Sequence, residues 1–221
     1  MELYHLHLLG NYDRLYKPNS EFTIDKDKYN NRLYKRIYDM TTTIDINNYE
    51  RMVNIINNLC AINGFQQFEK TINLGELLAM AKNGDANKEE ISKLIVDAEK
   101  IINSYAINTR EMAMEEYRKT NCDELPSRLH SLFACSKDGV EFWIPRIIDA
   151  PTDIYRIEVY DEPFVSNEYL LPHESLTYGE KIKASYKYFH PKEKDLNGVT
   201  DEYLVQGKVK ILEKVAEVRI K

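Results

Sequence analysis

The sequence predicts an α+β fold in which a helical segment is inserted after the first strand. Three observations predict it: an alternating apolar segment at the start, helical periodicity through the middle, and strand-like alternation over most of the C-terminal half. We expect a single domain over residues 1–221, with the helical insertion at 44–120 and a β-rich half at 121–221.

Composition and charge narrow the class of protein. The 221 residues carry a net charge of −6, and the chain lacks the basic stripe that binding to phosphate backbones requires. Its three cysteines are widely spaced, which argues against a zinc site and against a disulfide framework. The start has no secretory signal pattern, and no segment has the roughly 20 apolar residues of a membrane helix. We therefore expect a cytoplasmic protein with no membrane partner and no general affinity for nucleic acid.

The first predicted strand runs from Leu3 to Leu9. Alternation places His5 and His7 on one face of it, separated by about 7 Å of strand rise. Three interpretations stay open for this pair: partly buried histidines beside a sheet, metal ligands, or a neutral imidazole that hydrogen-bonds a sugar hydroxyl. Because the local sequence offers no third ligand with suitable spacing, we expect no metal.

The middle of the chain is predicted to be helical. A short helix is expected at 30–40, and apolar residues then recur at three- and four-residue steps between 49 and 60. A long helix is expected from about Lys88 to Lys119, with a break or bend near Thr109.

The C-terminal half is predicted to consist mainly of strands. In chain order, its elements are the strand "LHSLFAC", a short helix, the strand "DIYRIEVYDE", the helix "TYGEKIKASYKYF" and the closing segment "DEYLVQGKVKILEKVAEVRI". The short helix carries Trp143, the only tryptophan. The closing segment is either a hairpin turned at or near Gln206-Gly207 or one long bent strand.

Polar and aromatic candidates surround the first of these strands. Ser127 and Arg128 precede it, and the arginine is either a solvated charge or a phosphate ligand with a planar fork of donors. Ser131 and Phe133 share one strand face. Trp143 is either part of the core or a flat ring that stacks on a heterocycle.

A glutamate stands at the beginning of the closing segment. Glu202 shares a strand face with Leu204, so it is either solvated or directed inward from an apolar element. A carboxylate in a cleft can stabilise a sugar cation of oxocarbenium character, as glycosidase carboxylates do. Glu168 is a competitor for the same role.

Five segments carry a family resemblance. They are "LYHLHL", "EEYRKTNCDELPSRLHSLFACSKDGVEFW", "IYRIEV", "ASYKYF" and "DEYLVQGKVKIL". At its start and from about Glu115 to Leu212, the chain resembles an uncharacterised bacterial family that we associate with the ADP-ribosyltransferase superfamily. The last segment is also similar to the closing glutamate strand of the DarT-like DNA ADP-ribosylating toxins. The resemblance implies an ADP-ribosyltransferase-like fold, a split pair of small antiparallel sheets around an NAD cleft, with the helical insertion after the first strand.

The resemblance also implies catalytic roles. His5, with His7 as the alternative in register, would hold a ribose hydroxyl of NAD. Glu202 would hydrogen-bond the 2′-hydroxyl of the nicotinamide ribose and stabilise the sugar cation as nicotinamide leaves. Because that cation exists only near the transition state, a carboxylate placed for it favours rate over ground-state binding.

The remaining candidates are implied to bind NAD. Phe133 and Trp143 would stack on nicotinamide, and Arg128 would hold the diphosphate or the adenosine side. Ser127 and Ser131 belong to the same implied NAD-binding region.

The implied function is transfer of ADP-ribose from NAD, the substrate, to an acceptor that the sequence does not name, either a protein or a nucleic acid. An NAD glycohydrolase and a non-catalytic nucleotide- or protein-binding module on the same fold stay open as alternatives. A helical interaction module with residues 46–119 as its working surface is a third, which a large exposed apolar patch would favour. A toxin, a phage-conflict protein and a housekeeping modifier are all compatible with the sequence.

Overall fold

A computed structural model describes residues 1–8, 16–38, 106–147 and 151–219. By its backbone contacts the chain divides into two compact units, Met1–Ile37 with Asn108–Lys221, and Tyr38–Ile107. Nearly all of the described residues belong to the first unit. The predicted helices between residues 46 and 105 lie outside the described residues, and the predicted insertion at 44–120 stays a prediction.

Two antiparallel sheets form the framework of the described residues. The four-stranded sheet has the order β1 (Glu2–Leu8), β4 (Thr152–Val159), β7 (Gly207–Val218), β2 (Glu21–Ile24). The three-stranded sheet has the order β3 (Leu132–Ala134), β6 (Asp201–Val205), β5 (Phe164–Asn167). The predicted α+β class is confirmed, because antiparallel sheets occur here with few helices.

Four α-helices accompany the sheets in the described part of the chain. They are α1 (Arg32–Tyr38), α2 (residues 106–121), α3 (Val140–Ile147) and α4 (Tyr178–Phe189). Of the break or bend expected near Thr109, the break is absent, since α2 is helical throughout residues 106–121. None of the helices in the described ranges is long and apolar enough to cross a membrane.

The two sheets meet along an edge strand of each. Tyr4 of β1 and Cys135, which follows β3, exchange backbone hydrogen bonds of 2.9 Å in both directions. Since β1 pairs with β4 on its other side and β3 pairs with β6, this bridge joins the sheets edge to edge. The bridge also brings the first strand beside the turn and strand that carry most of the candidate residues.

The three-stranded sheet has different neighbours on its two faces. Val205 of β6 belongs to the apolar cluster of the four-stranded sheet, whereas Leu204 packs with Met114 of α2 and Tyr188 of α4. Because strand side chains alternate, Glu202 points to the same side as Leu204, toward the helices. The predicted common face of these two residues is therefore confirmed.

The closing segment is not a hairpin, and that interpretation is wrong. β6 pairs with β3 and β5, whereas β7 pairs with β4 and β2, so the chain passes from one sheet into the other. The transition falls at Gly207, whose φ of 81° lies in the left-handed region. The next residue, Lys208, donates its backbone N–H to Asp161 Oδ2 at 3.2 Å, which fixes the bend.

Replacing Gly207 by alanine is expected to lower the free energy of unfolding by about 1–2 kcal/mol, because an L-residue is strained at this φ. A Cβ at this position would also clash with Asp161 Oδ2, so the Asp161 side chain would have to move. The matched control is Gly179→Ala in α4, where a Cβ meets nothing within 4 Å. That change is expected to stabilise by about 0.5–1 kcal/mol through helix propensity. Urea unfolding of both variants checks the pair, and equal effects would contradict a conformational role for Gly207.

Candidate functional site

Glu202 is a buried carboxylate held by two side chains. It is 5% exposed and lies on β6 with its side chain toward α2 and α4. Its Oε1 atom accepts hydrogen bonds from Arg128 Nη1 and from the Tyr188 hydroxyl. Among the described residues, these hydrogen bonds and the ion pair with Arg128 all use Oε1, and none uses Oε2. One oxygen is therefore anchored, and the other takes no part in that anchoring.

Arg128 connects Glu202 to a second buried glutamate. Its Nε donates to Glu111 Oε2 at 2.7 Å, and its Nη1 donates to the Tyr188 hydroxyl at 2.6 Å as well as to Glu202. The guanidinium carbon lies 5.1 Å from the ring centre of Phe133 and 4.8 Å from that of Tyr188. Charge-assisted bonds and ring contacts thus fix Arg128 from several sides.

Helix α2 determines where Arg128 lies. Glu111 and Glu115 are one turn apart, so both face the turn that precedes β3. Glu115 accepts a bond of 2.8 Å from the Ser127 hydroxyl and pairs with Arg118 at 2.9 Å. Arg118 also donates to the backbone oxygens of residues 123 and 125, at 2.9 Å each. The turn is therefore fastened to the helix on both sides of Ser127.

The strand predicted as "LHSLFAC" is shorter than expected. It covers Leu132–Ala134, and residues 129–131 belong to the turn. The Ser131 hydroxyl donates to the Ser127 carbonyl at 2.7 Å, and Asn31 Nδ2 donates to the Ser131 carbonyl at 2.9 Å. Both bonds satisfy backbone carbonyls of the turn, and the Ser131 carbonyl lies in the segment that was predicted as strand. Both predicted serines therefore shape the turn that carries Arg128.

The ionisation of the cluster follows from burial and from neighbouring charge. Burial raises the pKa of Glu202 above its usual value, and Arg128 opposes this rise without cancelling it. Burial also disfavours the charged form of Glu111, yet Arg128 and Arg110 hold the pKa of that carboxyl below its usual value. The pKa of Arg128 is raised well above its usual value because Glu111 and Glu202 outweigh its burial. With both carboxylates ionised, the three groups carry a net charge of −1.

His5 lies beside this cluster as a neutral imidazole. Its Nδ1 is 2.7 Å from the carbonyl oxygen of Phe133, and because a carbonyl only accepts, Nδ1 carries the proton. Burial lowers the pKa of His5 to about 3, so the ring is uncharged at neutral pH. In this tautomer Nε2 is a hydrogen-bond acceptor.

The second histidine belongs to an aromatic cluster. The ring of His7 stacks on Tyr16 with centroids 3.8 Å apart, and Tyr155 lies at 6.1 Å. The rings of His5 and His7 are 5.9 Å apart. The described residues include no group of three or more His, Cys, Asp or Glu side chains placed to hold a metal ion.

Trp143 lies in an apolar core and supports the start of β6. It is 8% exposed and packs with Leu6, Cys135 and Ile154. Its Nε1 donates to the backbone oxygen of Asp201 at 3.2 Å. Trp143 is thus linked to the residue that precedes Glu202, while its predicted stacking on nicotinamide stays a prediction.

The loop before Glu202 is closed by a network of polar side chains. The Asp201 carboxylate accepts backbone N–H bonds from Asn197 at 3.1 Å and from Gly198 at 2.7 Å. It also accepts a bond of 2.8 Å from Asn167 Nδ2 on β5. The backbone next to Glu202 is therefore held from the loop and from the neighbouring strand. Glu168, the competing glutamate, follows β5 and raises the pKa of Glu202 by its negative charge.

Two members of the cluster were not found by sequence reasoning. Glu111 lies on the same helical face as Met114, Glu115 and Arg118. The signal that could have indicated a buried acid was the presence of two glutamates on a face shared with a core methionine. Tyr188 stands in "ASYKYF", a segment already singled out, but nothing in that pattern tells which tyrosine meets Glu202. Of the predicted residues, the structure joins Arg128, Phe133 and Glu202 directly and adds His5 through the Phe133 carbonyl.

Fold and site together define an α+β protein whose two antiparallel sheets meet beside a buried glutamate, arginine and tyrosine cluster. Over residues 3–217 the chain matches the family described as "Protein of unknown function (DUF2441)", and it belongs to that family. Among curated proteins, none matches the chain.

Proposed function

We propose that this protein is an NAD-dependent ADP-ribosyltransferase, which moves ADP-ribose from NAD to a macromolecular acceptor and releases nicotinamide. The observation that carries the proposal is the state of Glu202. Its carboxylate is buried, and Oε1 is anchored by Arg128 and Tyr188. Oε2 is not used in that anchoring and serves as the acceptor for the 2′-hydroxyl of the nicotinamide ribose.

The charge of the cluster suits this chemistry. Cleavage of the bond between nicotinamide and ribose leaves positive charge on the sugar in the transition state, as in glycoside cleavage. With both carboxylates ionised, Glu111, Arg128 and Glu202 together carry a net charge of −1 in a buried place, where a fixed charge acts more strongly than it does in water. Their rigid hydrogen bonding means that little reorganisation is needed when the cation forms.

The fold and His5 support the same proposal. β1, β3 and β6 follow one another across the junction of the two small sheets, which suits the split antiparallel arrangement of an ADP-ribosyltransferase-like fold. His5 on β1 is neutral and has Nε2 as an acceptor, which suits a ribose hydroxyl. The described partners of Arg128 favour a role in holding Glu202 over a role as a diphosphate ligand.

One observation favours a second candidate, a nucleotide- or protein-binding module on the same fold without chemistry. Glu202 is ion-paired with Arg128, and a structural ion pair can account for a buried glutamate. Against this candidate stands the position of the pair, which is buried and leaves one carboxylate oxygen outside its contacts.

Incubation of the purified protein with NAD labelled in its adenylate phosphate, with and without cell lysate, tests the proposal. We expect nicotinamide release and label bound to macromolecules, whose sensitivity to protease or nuclease then defines the acceptor class. Release that yields only free ADP-ribose would indicate an NAD glycohydrolase. The absence of both release and calorimetric NAD binding would overturn the proposal.

A further inference from the structure

We infer that Glu111 is a positioning residue that takes up part of the charge of Arg128, so that Arg128 anchors the Glu202 carboxylate without neutralising the negative charge that it presents to substrate. This inference rests on the proposed function of Glu202. It extends that function to a residue on a different element, which acts on Glu202 only through Arg128.

The guanidinium of Arg128 binds two carboxylates through different nitrogen atoms. Nε and Nη2 of Arg128 face Glu111, at 2.7 and 3.4 Å, whereas Nη1 faces Glu202 and Tyr188. Glu111 is 1% exposed and Arg128 is 5% exposed, so solvent screens these interactions little. Without Glu111, the full charge of Arg128 would act on Glu202 alone and would offset the negative charge that a sugar cation needs.

Glu111 is itself held in place by a second arginine. Arg110 donates to Glu111 Oε1 from Nε at 3.2 Å and from Nη2 at 3.1 Å, and its Nη1 lies 3.5 Å from Glu174. Charges therefore alternate in sign from Glu174 through Arg110, Glu111 and Arg128 to Glu202. Three acids and two arginines leave one negative charge, and the inner end of this series is the proposed catalytic carboxylate.

Charged and titratable groups reach Glu202 from each element packed against it. Arg128 comes from the turn before β3 and Tyr188 from α4, and both lower the pKa of Glu202. Glu168, after β5, and Glu111, on α2, raise it. Removal of Glu111 and removal of Arg128 should therefore change the titration of Glu202 in opposite directions.

The test compares Glu111→Gln with Arg128→Gln. In the first variant the titration of Glu202, and with it the acidic limb of the rate of nicotinamide release, should move to lower pH. In the second variant both should move to higher pH. In Glu111→Gln we also expect kcat to fall by up to about 100-fold with KM for NAD unchanged, because the carboxylate is drawn away from the sugar. Glu111→Asp keeps the charge and should restore the wild-type titration.

A readout that needs no NAD keeps this inference separate from the proposed function. Carbon NMR of labelled glutamate carboxyls, with the Glu202 signal identified by its loss in Glu202→Gln, follows the titration without NAD. The matched control is Glu116→Gln on the same helix; Glu116 is exposed and accepts a bond of 2.9 Å from the Tyr178 hydroxyl, so the Glu202 titration should not move. Shifts in the same direction for Glu111→Gln and Arg128→Gln, or no shift for the former, would overturn the inference. Opposite shifts in a protein that releases no nicotinamide would support the charge coupling and overturn the proposed function alone.

Discussion

Glu202→Gln is expected to lower the rate of nicotinamide release from NAD by at least about 10²–10³-fold while leaving NAD binding near that of the wild type. Glutamine has nearly the same shape, and its amide oxygen can still accept bonds from Arg128 and Tyr188. A neutral amide cannot stabilise the sugar cation, so the loss falls on kcat and spares affinity. Chromatography of released nicotinamide and calorimetry with NAD measure the two effects.

Two further glutamates make this result specific. Glu213 lies on β7 and is ion-paired with Arg156 at 2.8 Å on the surface, so Glu213→Gln should leave release unchanged. Glu168→Gln tests the competitor suggested by the sequence, and we expect it to retain most of the activity. Loss of release in Glu168→Gln with retention in Glu202→Gln would transfer the catalytic role to Glu168.

Arg128→Met is expected to lower the free energy of unfolding by about 3–5 kcal/mol, because it leaves buried carboxylates without their shared partner. The penalty should depend on pH. Without Arg128, burial raises the folded-state pKa of Glu202 further above the unfolded value of about 4.3. A carboxyl with a raised folded-state pKa stabilises the folded state below the unfolded pKa, and this stability is lost as pH rises through the folded-state value. Urea unfolding at about pH 5 and about pH 8 should therefore show the larger penalty at the higher pH.

The chain supplies a matched control for this prediction. Arg156 also lies between two glutamates, with Nη1 3.0 Å from Glu2 and Nη2 2.8 Å from Glu213, but its side chain is 34% exposed. Arg156→Met should cost only about 0–1 kcal/mol, as exposed ion pairs usually do. If the two variants lost the same free energy of unfolding, or if the loss in Arg128→Met did not change with pH, the buried-charge interpretation would be contradicted.

Local pattern was enough to predict several of the strands and the common face of Glu202 and Leu204, but not β2 or β5, and it left Glu202 either solvated or directed inward. Side-chain alternation is a property of a few consecutive residues, so β1, β4 and the shared face of Glu202 and Leu204 followed from it. The hairpin interpretation failed because alternation does not specify a strand's partner. Gly207 permits a bend as readily as a turn.

The cluster itself depends on contacts that no local pattern contains. Arg128 contacts Glu202, which is 74 residues away in the sequence, and Tyr188, which is 60 residues away. Sequence periodicity placed these residues on elements but could not place the elements against each other. For the same reason the sequence left Arg128 as either a solvated charge or a phosphate ligand, whereas the structure gives it two carboxylate partners, Glu111 on α2 and Glu202 on β6.

A crystal structure with a non-hydrolysable NAD analogue tests the central claim most directly. We expect Oε2 of Glu202 within hydrogen-bond distance of the 2′-hydroxyl of the nicotinamide ribose, with Oε1 still held by Arg128 and Tyr188. An analogue bound away from Glu202, or failure of NAD to bind the purified protein, would contradict the account.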